Sequence, residues 1–100
     1  MGARGRMKRI TTTIKREWLD KIVDGSKTVE YREAKLYWQH RLHNIEIPFE
    51  LRLINGMNKR APEVIVRVDR VELDEHQNEY ALYIGRILSI KNFLKVRKDG

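Results

Sequence analysis

The spacing of hydrophobic residues changes several times along this chain, and each spacing predicts an element. β-Branched residues fill 8–14, which predicts a strand. Over 16–24 the apolar residues recur on one helical face among charged residues, so we expect a short amphipathic helix. Its apolar face consists of Trp18, Leu19, Ile22 and Val23. We expect Trp18 to anchor this helix in the core, Thr13 to act as its N-cap and Gly25 to end it.

Alternating residues predict most of the elements that follow. Residues 27–32 alternate and predict a short strand, whereas 34–43 have helix-forming composition without a clean apolar stripe. Adjacent residues on a helix diverge by about 100°, so we expect one of Tyr37 and Trp38 to lie in the core. Apolar residues then occupy every second position over 45–53, which predicts a half-buried strand.

Interruptions of the alternation add information about the later strands. Pro48 has no N–H to donate, which indicates an unpaired edge in the strand 45–53. Valines alternate from Val64, and the apolar pattern resumes at Val71 on the opposite parity, as a β-bulge would produce. Residues 80–90 predict a last strand, in which Gly85 permits a kink or a close approach. We therefore expect an α+β fold with a curved, mostly antiparallel sheet, curled or closed into a barrel.

Composition limits the class of protein. A chain of 100 residues has room for one domain, which we place at 8–95. The absence of cysteine excludes a disulfide framework, a Cys-ligated metal site and a thiol nucleophile. No apolar run approaches the ~18 residues of a membrane helix, and the N-terminus lacks the apolar stretch of a signal peptide. We expect a soluble, cytoplasmic protein with no membrane partner.

Charge is concentrated at the two ends of the chain. The formal net charge is +7. Residues 1–9 hold four basic residues and no acid, and 91–100 hold four basic residues and one acid, so the middle is balanced. Basic arms are common in proteins that bind polyanions, although solvated tails that only aid solubility are the alternative. We expect 1–7 and 96–100 to be flexible arms that contact nucleic acid.

The segment GSKTVEYR at 25–32 concentrates the candidate chemistry. Glu30 and Arg32 share one face of the predicted strand, about 7 Å apart. Lys27 joins them if the entry to the strand is irregular, which the preceding Gly-Ser pair permits. Three such groups around one cleft can bind phosphate, or polarise a carbonyl with the carboxylate as base. The alternative is an ion-paired rim that binds nothing.

A metal site is the weaker candidate. His40 and His43 lie three residues apart on the predicted second helix, with Glu46 beyond. Because the pattern fixes no third ligand and the chain has no cysteine, we expect surface histidines, no metal and no cofactor.

The segment 14–32 also carries a resemblance to a known family. It reads IKREWLDKIVDGSKTVEYR, a strand end and a helix with an aromatic residue before Gly-x-Lys-Thr-x-Glu-x-Arg. This order resembles the ASCH family (activating-signal-cointegrator homology domains), whose fold is similar to the PUA RNA-binding barrel. The similarity continues at Tyr37-Trp38, Arg41-Leu42, Asn55-Gly56 and Tyr83 to Leu88. It implies a small PUA-like curved β-barrel of about five to six mostly antiparallel strands with two short helices.

The same resemblance implies a function, the binding of RNA or a nucleotide in a basic cleft around the motif. The residues expected to line the cleft are Lys15, Lys27, Glu30, Arg32, Trp38, Arg41 and Arg52. The alternative is a small hydrolase, because one ASCH-like group deacetylates acetylcytidine with a catalytic Lys at the position of Lys27. That group has a nucleophilic Thr where this chain has Glu30, and a carboxylate cannot replace a hydroxyl nucleophile without changing the mechanism.

The second type of hydrolase that the site could support is a metal-free ribonuclease, in which Glu30 acts as the base and Lys27 lies beside it. A protein-interaction module whose basic arms serve only solubility is the third reading.

Overall fold

Five strands and two short helices make up the part of the chain that the computed structural model describes, residues 6–93. In chain order they are β1 (Arg9–Thr13), α1 (Arg16–Val23), β2 (Val29–Glu33), α2 (Leu36–Leu42), β3 (Phe49–Ile54), β4 (Glu63–Asp74) and β5 (Glu79–Lys91). Most of the predicted arm 1–7 and all of the tail 96–100 lie outside the described residues. Neither helix in residues 6–93 has the length and apolar character needed to span a membrane.

The strands form one curled sheet with the order β1-β3-β4-β5-β2. Three of its four pairings, β3 with β4, β4 with β5 and β2 with β5, are antiparallel, whereas β1 pairs with β3 in parallel. The predicted α+β class and mostly antiparallel curved sheet are thus confirmed. The sheet is a half-barrel whose two edges are β1 and β2, and these edges position the candidate site.

The helix α1 packs on the sheet through a narrower face than its sequence predicts. Leu19 and Ile22 are fully buried, whereas Trp18 is 41% exposed. The prediction that Trp18 anchors the core was wrong: Leu19, Ile22 and the partly buried Val23 form the face that packs on the core, and Trp18 lies at the margin of that face and lines the cleft described below. Thr13 is not the N-cap either: it is still in β1, and Lys15 takes the cap position without a side-chain hydrogen bond.

Gly25 ends α1 as predicted. It follows the C-cap residue Asp24 and has a φ of +88°, a conformation that glycine adopts without the steric cost of a Cβ atom. The second helix α2 also confirms its prediction, since Trp38 is buried and Tyr37 is exposed.

The strand predicted over 45–53 begins later than its alternation indicates. β3 starts at Phe49, and Ile47 before it is exposed. Pro48 separates the two, and its lack of an N–H makes it a natural boundary for a strand rather than a member of the ladder. The alternation at 45–47 therefore belongs to the connection from α2 to β3.

The predicted slip of parity in β4 is confirmed as an irregular register with β5. Val68 pairs with Ile84 and Arg70 with Tyr83, so Asp69 is the extra residue. A Cβ atom built on Gly85 would overlap the Asp69 carboxylate, which confirms the close approach expected at this glycine. The bulge bends the long β4–β5 hairpin and so brings β2, on the far side of β5, toward β1.

Candidate functional site

A cleft of about 870 Å³ opens where the two edge strands face each other. Its walls come from the β1–α1 connection, from β2 and from α2. The charged and aromatic side chains in these walls are Lys15, Trp18, Glu30, Tyr31, Arg32, Glu33, Lys35, Tyr37 and Trp38. The unpaired seam of the half-barrel thus forms a wide opening lined by polar and aromatic side chains.

Glu30 is the centre of this site. It is only 5% exposed; its Oε2 accepts a hydrogen bond from Arg32 Nε at 2.8 Å and lies 2.6 Å from Arg32 Nη2 in an ion pair. Its Oε1 lies 3.3 Å from Lys27 Nζ. A buried carboxylate needs such partners because desolvation opposes its charge. Lys27 and Arg32 carry two positive charges and Glu30 carries one negative charge, so the three side chains have a net charge of +1.

The end of α1 explains how Lys27 reaches Glu30. The backbone N–H of Lys27 donates to the carbonyl of Lys21 at 3.0 Å, which holds Lys27 beside the last turn of the helix. β2 begins only at Val29, so the side chain of Lys27 does not follow strand parity. The irregular entry that the sequence permits is therefore present, and Lys27 also donates to the carbonyl oxygen of Val29 at 2.6 Å.

Arg32 spans the seam between the two edges. Its Nη2 donates to the Thr13 carbonyl oxygen at 2.9 Å, and its Nη1 lies 3.3 Å from the Thr12 hydroxyl. Its guanidinium also lies 5.4 Å from the ring centroid of Trp38. Since β1 and β2 share no ladder, Arg32 replaces missing backbone hydrogen bonds there. It holds Glu30 and the edge strand β1 in one rigid arrangement.

Two exposed aromatic rings flank Lys27, and sequence reasoning missed both as site residues. Lys27 Nζ lies 5.5 Å from the ring centroids of Trp18 and of Tyr31. Trp18, Tyr31, Lys27 and Glu30 line a small cavity of about 380 Å³. The sequence could have indicated Tyr31, because the alternation in β2 places it on the face opposite to Glu30, and only one face of this strand is buried.

The remaining predicted site residues divide into two groups. Lys15 and Trp38 line the cleft; Lys15 is exposed and makes no ion pair with any residue in 6–93, and Trp38 is mostly buried. Arg41 does not line the cleft: it donates to the Tyr37 hydroxyl at 2.6 Å and to the Thr11 carbonyl oxygen at 3.3 Å. Arg52 lies in a neighbouring cavity.

Arg52 belongs to a second buried ion pair. Its Nη2 lies 2.7 Å from Glu63 Oε1 and its Nε 3.1 Å from Glu63 Oε2. The hydrogen bonds from Arg52 hold the pKa of Glu63 below its ordinary value, with help from the charges of Arg52, Lys91 and Arg9 and against the opposing effect of burial. This pair joins adjacent strands β3 and β4 and is neutral overall.

Metal-binding side chains do not cluster in the described part of the chain. Among residues 6–93 there is no group of three His, Asp or Glu side chains placed to hold a metal ion. His40 and His43 are both exposed on and after α2. The chemistry of the cleft therefore has to be read from its cations, its carboxylates and its aromatic rings.

Comparison of the chain with protein-family models and with curated proteins gave no match. The resemblance of 14–32 to ASCH domains thus remains an expectation based on the motif. The function of the cleft has to follow from its geometry and charge.

Proposed function

We propose that the cleft binds RNA or a nucleotide, as an ASCH-like domain would. The observation that carries the proposal is the pairing of exposed aromatic rings with an anchored cation. The ring centroids of Trp18 and Tyr31 each lie 5.5 Å from Lys27 Nζ, and Lys27 is tied to the buried Glu30. Exposed rings of this kind stack on bases, and each stacked base contributes about 1–3 kcal/mol.

The cations of the site suit a phosphodiester. The ammonium of Lys27 has three donors, of which two are directed at Val29 O and Glu30 Oε1, so one remains for a ligand oxygen. Lys15 stands on the rim without an ion-pair partner among residues 6–93, and is available to a second phosphate oxygen. Charge-assisted hydrogen bonds of this type are about twice as strong as neutral ones.

Glu30 supplies the complementary chemistry for a base. Its Oε2 accepts a hydrogen bond from Arg32 and its Oε1 forms an ion pair with Lys27, but a carboxylate has about four acceptor sites. An exocyclic amino group of a base can donate to one that is left. A carboxylate accepts hydrogen bonds only, which favours recognition or base catalysis over acid catalysis.

Salt dependence tests the proposal and separates it from a protein-interaction module. We expect the affinity for a single-stranded RNA octamer to fall steeply between about 50 and 200 mM salt, because counterions return to the phosphates. Lys15→Ala should lower the log–log salt slope by about 0.7. Arg86→Ala is the matched control, since Arg86 is exposed on β5 and does not line the cleft.

Competition and turnover complete the experiment. A mononucleotide should displace the octamer if binding is in the cleft, and binding that no nucleotide displaces and no salt weakens would contradict the proposal. The same samples are incubated with RNA and with acetylcytidine. Product that disappears in Glu30→Gln would replace simple binding by the hydrolase alternative, with Glu30 as the base.

A further inference from the structure

A second cavity adjoins the cleft and has no role in the function proposed above. It has a volume of about 530 Å³ and shares two wall residues, Thr13 and Tyr37, with the cleft. Both volumes fall in the ~300–1,000 Å³ range of small-ligand sites. Each cavity is therefore large enough for one nucleoside, and the two meet at one aromatic ring.

Tyr37 is fixed at this junction. Its hydroxyl accepts a hydrogen bond from Arg41 Nη1 at 2.6 Å, and Arg41 is itself anchored to β1 through the Thr11 carbonyl oxygen. The Tyr37 ring also meets Trp38 edge to face, with centroids 5.8 Å apart. It nevertheless remains 54% exposed. A rigid, exposed ring between two cavities can stack on a base without losing conformational freedom on binding.

The outer wall of the second cavity is the turn after β3. Asn55, which lines the cleft, donates through Nδ2 to the Ile14 carbonyl oxygen at 2.9 Å. The next residue, Gly56, has a φ of +121° and lines the second cavity. The turn is thereby tied to the β1–α1 connection, and its two sides face the two openings.

The second cavity has an apolar side chain and a lysine in its wall, next to an ion pair with no net charge. Met57 is 90% exposed there, and Lys59 is exposed beside it. The Arg52–Glu63 pair lies in the same wall and cancels its own charge. Methionine adapts its shape to flat ligands, and no ion-pair partner occupies Lys59 among residues 6–93. An apolar, polarisable surface next to one free ammonium matches a base and its phosphate.

We infer that the cleft and the second cavity bind consecutive nucleotides of one single strand, with Tyr37 between the two bases. This inference rests on the proposed function and adds a second subsite to it. The minimal full ligand is then a dinucleotide rather than a mononucleotide. It is single-stranded, because bases can enter concave aromatic sites only when they are splayed out of a helix.

A length series with a more highly charged mononucleotide as the charge control tests the second subsite. The probes are adenosine 5′-monophosphate, adenosine 3′,5′-bisphosphate and the 5′-phosphorylated dinucleotide pApA, together with the same uracil series. We expect the dinucleotide to bind at least tenfold more tightly than either mononucleotide. The bisphosphate controls for charge, so a gain over it has to come from the second nucleoside. The methyl resonance of Met57, followed by NMR, should shift with the dinucleotide only.

Substitutions in the second cavity test whether the higher affinity of the dinucleotide arises there. Lys59→Ala and Met57→Ala should reduce the dinucleotide to the affinity of the mononucleotide and leave mononucleotide binding unchanged, and Arg86→Ala should change neither. Tyr37→Phe should retain more of the gain than Tyr37→Ala. If mononucleotide and dinucleotide bind equally well, the second subsite is overturned and the proposed function stands. If none of these probes binds but the octamer does, the two-subsite arrangement is overturned and RNA binding stands; if the octamer does not bind either, both are overturned.

Discussion

Two buried glutamates, Glu30 and Glu63, use the same ion-pair chemistry for different purposes. Both are buried, at 5% and 6% exposure, although each lines the wall of a cavity, and each has an arginine partner. Glu63 lies on the inner strand β4, and its single partner Arg52 leaves the pair neutral. Glu30 lies on the edge strand β2, next to a second cation, Lys27, and two exposed rings. We therefore place the proposed binding site at the open edge with the surplus charge, and we assign a structural role to the neutral pair inside the ladder.

The stability cost of removing each carboxylate is the largest effect that this comparison predicts. Glu30→Ala leaves Lys27 and Arg32 without their anion, and both side chains are more than four-fifths buried. We expect the free energy of unfolding to fall by about 3–5 kcal/mol, as for a buried pair that loses one partner. Glu63→Ala should cost less, because the Arg52 side chain is 35% exposed and can be hydrated.

Urea denaturation of the two variants measures this difference. Equal slopes with separated midpoints would show that stability, rather than the unfolded state, has changed. If Glu63→Ala lowered the free energy of unfolding more than Glu30→Ala, the expected order would be contradicted, because the Arg52–Glu63 pair would then contribute more to stability than the Glu30 cluster.

Loss of Lys27 should affect binding far more than loss of Arg52. We expect Lys27→Ala to weaken binding of a mononucleotide by about 10- to 100-fold, because it removes a charge-assisted contact worth about 1.5–3 kcal/mol. Arg52→Ala should leave mononucleotide affinity unchanged once the lower stability is accounted for. Calorimetric titration at a temperature where both variants are folded measures this. Equal effects of the two substitutions would contradict the assignment of surplus charge to the cleft.

Loss of an aromatic ring from the cleft should have the next largest effect on binding. Trp18→Ala should lower mononucleotide affinity by the ~1–3 kcal/mol of one stacked base. Its effect on stability should be small, because Trp18 is partly exposed and lies outside the core of α1. Trp18→Phe should keep most of the affinity, and fluorescence of Trp18 should be quenched when a base stacks on it. Unchanged quenching in Trp18→Phe would show that Trp38 is the reporter instead.

The smallest expected effect is the pH dependence of stability that comes from the Arg52–Glu63 pair. The pKa of Glu63 is held below its ordinary value of 4.5, chiefly by hydrogen bonds from Arg52. A lowered pKa in the folded state contributes stability that is complete above about pH 4.5 and is lost as the pH falls toward the folded value. Glu63→Gln should therefore flatten the loss of stability below pH 4.5. Acid titrations of the wild-type protein and of Glu63→Gln, followed by circular dichroism, measure the loss of folded protein. Identical curves below pH 4.5 would contradict the prediction.

Local periodicity was enough to predict most of the elements. Leu19 and Ile22 were predicted on the buried face of α1, and the bulge near Asp69 followed from the change of parity between Val68 and Val71. These features depend on neighbours in the chain, since side-chain direction follows the helical or strand repeat. Strand periodicity likewise placed Glu30 and Arg32 on one face, whereas Lys27 was expected to join them only if the entry to the strand was irregular, as it is.

Contacts between distant segments could be decided only by the tertiary structure. The parallel pairing of β1 with β3, the bridge from Arg32 to Thr13 across the seam and the Arg52–Glu63 pair leave no trace in local spacing. Trp18 was misplaced because a periodic pattern gives the direction of a side chain but not what covers it. The core covers Leu19, Ile22 and part of Val23 but not Trp18, so the tertiary packing, and not the helix sequence, leaves Trp18 exposed beside Lys27.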